Sequence, residues 1–221
     1  MSNQPAIDDI RSSYDRVADA YAAAIFDELE HKPFDRDVLM RFVRETMGGT
    51  VCDMGCGPGQ VARFLDEAGA DAFGLDLSPG MVAEARRLNP SLEFREGNML
   101  ALPLEDASLT GIAAFYAIVN LPAELRPPVF REMVRVLKPG GLLLLTFHIG
   151  GAVLGVRELW GRPITMDFYT LDRAQILGEL EAAGFVIEEC LERDPYPPPV
   201  EHQSRRAYVF ARIPSGSSDL V

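Results

Sequence analysis

Apolar positions along the chain recur first at helical spacing and then at strand spacing. Tyr14, Val17, Ala18, Tyr21 and Ile25 fall three and four residues apart, the pattern of one buried helix face. A second helical pattern over residues 35–46 stops at Gly48-Gly49. Residues 1–47 therefore read as a helical arm. From Thr50 the period shortens. Residues 50–54 form a short apolar strand entering a glycine-rich turn, and 61–68 a helix stopped by Gly69. Residues 71–77 are a strand, and 79–88 a helix with Ser78 as N-cap and Pro79 in its first turn. The alternation continues through strand 92–96, a loop to Asp106, strand 109–115 and helix 123–137. The turn Lys138-Pro139-Gly140-Gly141 then feeds strand 142–148. Strands alternating with helices, several of them continuously apolar, predict an α/β fold with a parallel sheet covered on both faces.

The rhythm breaks over residues 149–170, an insertion holding Trp160, Pro163, Asp167, Phe168 and Tyr169 that reads as a lid over a second substrate. Helix 171–183 follows, then Gly184 and two last strands, 185–191 and 207–213. The proline-rich loop 194–200 between them cannot be a strand. Residues 214–221 are small and polar and are expected to be a disordered tail. With 221 residues and no repeat, the pattern fits one domain whose core spans 50–213.

Charge narrows the partners. Thirty-three acidic against 21 basic residues give a formal charge of −12, which repels nucleic acid backbones and anionic membranes. No apolar run approaches the roughly 20 residues that span a bilayer, and residues 1–11 lack the features of a signal peptide. Three cysteines, Cys52, Cys56 and Cys190, form no disulfide framework, and no second Cys/His pair accompanies Cys52 and Cys56, so no metal is expected. The reading is cytoplasmic, with a monomer as the default.

The most informative segment is Val51-Cys52-Asp53-Met54-Gly55-Cys56-Gly57-Pro58-Gly59-Gln60. Glycines at alternate positions let the backbone turn sharply and approach a ligand at the mouth of a parallel strand. Asp76, ending the next strand, is placed to accept hydrogen bonds from the two hydroxyls of a ribose. A dinucleotide fingerprint needs glycine where Gln60 stands, and the Gly-Lys-Ser/Thr of a phosphate-cradling loop is absent. Asp53 suits a cationic ligand, and S-adenosylmethionine, with a sulfonium and an ammonium, is one.

Residues 51–61 resemble motif I of the class I S-adenosylmethionine-dependent methyltransferases. Gly74-Leu75-Asp76-Leu77-Ser78 resembles the strand after it, and Leu137-Lys138-Pro139-Gly140-Gly141 the turn before the fifth strand. The resemblance covers roughly residues 14–213. It implies a Rossmann-like seven-stranded sheet of order 3-2-1-4-5-7-6 with strand 7 antiparallel. It also implies S-adenosylmethionine as cofactor, S-adenosylhomocysteine as product, and a small-molecule acceptor. By the same resemblance Gly55, Gly57 and Gly59 lie under the cofactor's amino-acid part, Asp53 near its ammonium and Asp76 at its ribose. Leu77 and Met81 flank the adenine, and Asn98, beside Met99, replaces the usual aspartate that takes the adenine amino hydrogen. Phe115 and Tyr116 face the methionine half, and Tyr14 and Tyr21 close over it from the arm. Thr110 and Asn120 depart from the family's usual Asp and His, and the latter removes a histidine-based mechanism from that loop.

For the acceptor, His148 at the end of the fifth strand is the candidate general base. An arginine of the Arg205-Arg206 pair would draw an anionic acceptor if it faced the cleft; otherwise it pairs with carboxylates such as Glu188 and Glu192. Lys32 and Pro33, between the arm helices, are placed to line the mouth. A protein or nucleic-acid acceptor, a non-catalytic cofactor-binding protein and a nicotinamide-dependent oxidoreductase are the competing readings. The Phe115-Tyr116-Ala117-Ile118 turn lacks the Asn/Asp-Pro-Pro-Tyr/Phe signature of amino-methylating nucleic-acid enzymes.

Overall fold

A computed structural model describes residues 4–215, so most of the tail expected over 214–221 lies outside the described residues. Seven strands form the main sheet: β1 (Thr50–Met54), β2 (Asp71–Asp76), β3 (Phe94–Glu96), β4 (Leu109–Phe115), β5 (Leu137–His148), β6 (Val186–Arg193) and β7 (Arg206–Arg212). Their order is 3-2-1-4-5-7-6. The first five run parallel, and β7 pairs antiparallel with both β5 and β6. Six α-helices accompany them: α1 (Gln4–Ile25), α2 (Pro33–Glu45), α3 (Gln60–Glu67), α4 (Pro79–Leu88), α5 (Arg126–Val136) and α6 (Arg173–Ala183). Among the described residues no helix is long and apolar enough to cross a membrane.

The two arm helices serve opposite faces of the sheet. The apolar stripe of α1 extends back to Ile7 and Ile10, which join Val17, Met81, Phe130 and Phe147 in one buried cluster. In α2, Val38, Leu39, Phe42 and Val43 pack with Leu142, Leu144, Tyr208 and Phe210 in another. Asp15 of α1 accepts hydrogen bonds from Ser78 Oγ (2.5 Å) and the Gly80 N–H (2.9 Å), so the arm also serves the first turn of α4. Ser78 in turn accepts from the Met81 N–H, as an N-cap should.

Several boundaries differ from the sequence expectation for local reasons. The helix expected over 123–137 is a 3-10 turn (Ala123–Leu125) followed by α5, because Pro127 and Pro128 lack N–H donors and fit only a first turn. The expected turn at 138–141 belongs to β5: the Gly140 N–H bonds Ile213 O and the Ile213 N–H bonds Gly141 O, drawing the segment into the ladder. Helix α6 starts at Arg173 because Asp172 is its N-cap, accepting from the Gln175 N–H. Strand β3 begins only at Phe94, since Leu92 still bonds back to Asn89. The 149–170 insertion folds into two tiny antiparallel ribbons, Val153–Leu154 with Phe168–Tyr169 and Glu158–Leu159 with Arg162–Pro163.

Candidate active site

A cavity of about 500 Å³ opens at the carboxyl edge of the parallel strands, between the glycine turn, the arm, the 149–170 insertion and the loop before β7. It is built first from the β1 turn. The Gly55 and Cys56 N–H groups bond Leu75 O, which lays the turn across the end of β2. There the Gly57 N–H bonds Asp76 Oδ2 (2.8 Å) and the Ser78 N–H bonds Oδ1 (2.9 Å). Each carboxylate oxygen keeps a lone pair, and Asp76 lines the cavity. Burial raises its pKa, against the pull of the Ser78 and Gly57 N–H donors. Gly57 has φ +51°, and a side chain there would meet only the Tyr21 ring, at 3.7 Å. The space before the turn is open on that side.

Two residues of the motif stand behind the turn instead. Asp53, 1% exposed, is not on the cavity wall; its Oδ2 accepts the Ala62 N–H (2.9 Å) in the first turn of α3. Burial pushes its pKa up to about 8, with the Ala62 bond opposing and Asp76 adding to the rise. Gly59 also lies off the wall: a Cβ would come within 2.8 Å of Phe94 and the Asn89 side chain, so packing holds this glycine. Gln60, by contrast, does line the cavity. Its Nε2 donates to Glu28 (3.1 Å), while its buried Oε1 has no partner.

Leu77, Met81, Asn98 and Met99 form the neighbouring wall with Leu100. Asn98 Oδ1 already accepts the Leu100 N–H (2.9 Å), leaving one lone pair for a ligand. Above them the arm closes. Tyr14 donates to Asn120 Oδ1 (2.6 Å), Asn120 Nδ2 donates to Asp167 O (2.7 Å), and Tyr21 sits edge-on to Tyr14 and Trp160. Arg162 pairs with Asp19, and the Thr165 N–H bonds Ser13 Oγ (3.0 Å), so arm and insertion clasp each other. Of the insertion residues singled out, Trp160 and Phe168 reach the cavity; Tyr169 and Asp167 do not, each giving a backbone group to the β4 loop. Thr110 packs against Gly49, away from the cavity.

At the far end, Phe115 and Tyr116 follow β4. Tyr116 takes φ +54°, a left-handed backbone that side chains other than glycine's rarely accept, and the Thr146 Oγ (2.9 Å) receives its N–H. Its ring stacks on His148 (4.7 Å between centroids, 25° between planes). His148 Nδ1 lies 2.8 Å from Ser204 Oγ. Burial, and after it the charge of Arg206, pulls the His148 pKa down to about 3. A base that weak takes protons poorly at neutral pH. As it stands His148 is a weak base whose ring, stacked on Tyr116, lines the cavity.

The arginine pair divides as strand alternation requires. Arg205 is exposed and paired with Glu192 and Asp194, whereas Arg206 is 2% exposed and lines the cavity. Lys32 lines it too, bonded to Glu28 (2.5 Å) and 3.8 Å from Glu201. Pro33 does not; it borders a shallow surface pocket on the other side. Sequence reasoning missed Gln60, Glu201, His202, Ile7 and Ile10 on this wall. Only the last two carried a signal, as an upstream extension of the α1 stripe.

A Rossmann-like sheet in this order, with a glycine turn and a buried acid at the end of β2, is an arrangement in which α/β domains hold nucleoside ligands. Residues 51–141 match a family described as a methyltransferase domain. The chain is 31% identical to the malonyl-[acyl-carrier protein] O-methyltransferase of Enterobacter lignolyticus over 65% of this chain and 58% of that protein. It is also 31% identical to the demethylmenaquinone methyltransferase of Renibacterium salmoninarum, over 61% of each. It spans about three fifths of the length of these curated relatives. A solved S-adenosylmethionine-dependent methyltransferase from Methanosarcina mazei shares the fold with a TM-score of 0.68 at 17% identity, over 75% of this chain and 92% of that one. Residues 51–141 thus match a methyltransferase domain, and these similarities support the class I S-adenosylmethionine-dependent family.

Proposed function

We infer that this chain is an S-adenosylmethionine-dependent methyltransferase acting on a small-molecule acceptor held in the enclosed cavity. The observation that carries the reading is Asp76: a buried carboxylate, fixed by the Gly57 and Ser78 N–H groups, that still offers lone pairs to the cavity. The donor set fits this cofactor. Asp76 accepts from ribose hydroxyls, the open space before Gly57 admits the ligand, and the orphaned Gln60 Oε1 accepts from an ammonium. Leu77, Met81, Asn98 and Met99 supply a partly apolar slot for a base. The small size of the acceptor is supported by the arm and insertion closing the site, and by a relative named as a demethylmenaquinone methyltransferase; another is named for the malonyl group of malonyl-[acyl-carrier protein].

Bound here, S-adenosylmethionine supplies a methyl group on a positively charged sulfur, open to in-line attack. The protein's part is positioning and dryness. Asp76 and the glycine turn fix one end of the cofactor, while Tyr116 and His148 provide a rigid floor for the acceptor. Tyr14, Tyr21 and Trp160 exclude water from the space between. With His148 neutral and a feeble base, the site best serves an acceptor that needs no deprotonation or brings its own anionic nucleophile.

Melting the protein with S-adenosylmethionine, S-adenosylhomocysteine or NAD tests this. A ligand at a hundred times its Kd adds about 2.7 kcal/mol, a rise of roughly 5–10 °C for a domain this size. Both sulfur nucleosides should raise Tm in the wild type and fail in Asp76→Ala. A rise with NAD alone, or with none of the three, would overturn the reading.

A further inference from the structure

Two buried polar atoms, each on a residue that lines the cavity, lack partners, and they want opposite things. Gln60 Oε1 needs a donor; Arg206 Nε needs an acceptor. They stand at the two ends of one polar chain. Gln60 bonds Glu28, Glu28 bonds Lys32, Lys32 approaches Glu201, and Glu201 lies 3.2 Å from Arg206. The Gln60 end adjoins the glycine turn and belongs with the cofactor reading above. The Arg206 end does not.

Arg206 faces His148 across the β5–β7 ladder, at the carboxyl edge of the sheet. Its Nη1 and Nη2 bond the carbonyls of Ser204 (2.5 Å) and His202 (2.8 Å), with Glu201 3.2 Å from Nη2; this locks the guanidinium and leaves Nε as its one nitrogen with no partner. A buried charged donor left unmet costs at least about 1–3 kcal/mol, and folded proteins keep such groups where a ligand meets them. Glu201 cannot answer it. That carboxylate takes both Nη atoms of Arg193 (2.5 and 3.0 Å) and the Tyr196 N–H (2.5 Å), with Lys32 also turned toward it. The Tyr116 ring lies 6.0 Å from the guanidinium, Phe115 stands edge-on to Tyr116, and Phe168 lines the same cavity.

We propose that the methyl acceptor is an amphiphilic carboxylate, with its anionic oxygen on Arg206 Nε and its apolar body along the Phe115, Tyr116 and Phe168 wall. This rests on the methyltransferase reading, since the cofactor's own carboxylate is the other candidate for the same chemistry. Asp76 on β2 and Arg206 on β7 are four strand spacings apart, roughly 19 Å, so the two residues stand at opposite ends of the cavity. The methylthioadenosine comparison below tells the two carboxylates apart.

The test titrates benzoate and hexanoate against their uncharged matches, benzamide and hexanamide, with S-adenosylhomocysteine saturating. The acids should bind wild type at least about tenfold tighter than the amides. That preference should shrink to within about twofold in Arg206→Gln and partly return in Arg206→Lys, while affinity for S-adenosylhomocysteine stays unchanged. Acids and amides binding wild type alike would overturn the proposal. So would a loss of S-adenosylhomocysteine affinity in Arg206→Gln with methylthioadenosine, which lacks the carboxylate, binding normally. If Arg206→Gln does not fold, the wild-type Nε–H resonance decides: it must move with the acids and not with the amides. Should S-adenosylhomocysteine fail to bind at all, the methyltransferase reading falls, and the acid–amide comparison on the free protein still reads this wall by itself.

Discussion

Asp53 and Asp76 lie near the carboxyl ends of neighbouring strands, yet only Asp76 faces the cavity. The environment of Asp53 makes its stabilising role testable by pH. Its folded pKa of about 8 lies above the unfolded value of roughly 3.9. Between those values the folded state binds more protons than the unfolded chain, so stability must fall as pH rises through this window. Asp53→Asn keeps an oxygen for the Ala62 N–H and removes the titration. In urea unfolding, wild type should therefore lose stability relative to Asp53→Asn from pH 5 to pH 8; parallel curves would mean that burial does not govern this carboxyl. Residue places were legible in the sequence where the motif names a backbone need or a terminal acid, as at Gly55, Gly57 and Asp76, all on the cavity wall. They were illegible where one residue type serves two purposes. Gly59 is held by the bulk of Phe94, Asp53 by a helix turn, and Tyr116 by a strained φ that no side chain announces. Which of Arg205 and Arg206 faces inward depends on strand phase, and a one-residue shift of phase reverses it.

The elements were easier to read than their joints. Continuous apolar runs gave β1, β4 and the central part of β5, and the capping residues Ser78 and Gly184 marked helix ends as expected. What failed was long-range. A proline–glycine sequence that codes locally for a turn is captured by β7 at Gly140 and Gly141, and the insertion's ribbons are too short for periodicity to reveal. The joints also carry the closure of the site. Asn120, 6% exposed on the loop after β4, ties Tyr14 of α1 to Asp167 of the insertion. Asn120→Ala strands a buried phenol and a carbonyl together, a loss of about 2 kcal/mol in chemical denaturation. Because the lost bonds hold two covering elements and no strand, the variant should also bind S-adenosylhomocysteine several-fold more weakly. Unchanged stability and affinity would show that arm and insertion close without this tie.

Across the whole molecule, the cavity is roofed by three segments far apart in sequence: α1, the 149–170 insertion and the loop from Pro199 to Arg206. The arm and the insertion meet through Arg162 on Asp19 and the Thr165 N–H on Ser13 Oγ, and the insertion meets the loop where the Ile149 N–H bonds Arg205 O. Parts with few backbone hydrogen bonds to the sheet open at lower free energy than the core. A ligand that needs the closed form must stabilise all of them at once, by its own binding free energy, while leaving the strands bounded by global unfolding. Hydrogen exchange with and without S-adenosylhomocysteine separates the possibilities. Amides of α1, of residues 149–170 and of residues 199–206 should slow together, with β1 and β4 unaltered. Slowing confined to the glycine turn and the end of β2 would mean that the cofactor is held by Asp76 and the turn alone. Closure of the roof would then wait for the acceptor, and Arg206, whose loop is one of the three segments, would be where that second ligand does its work.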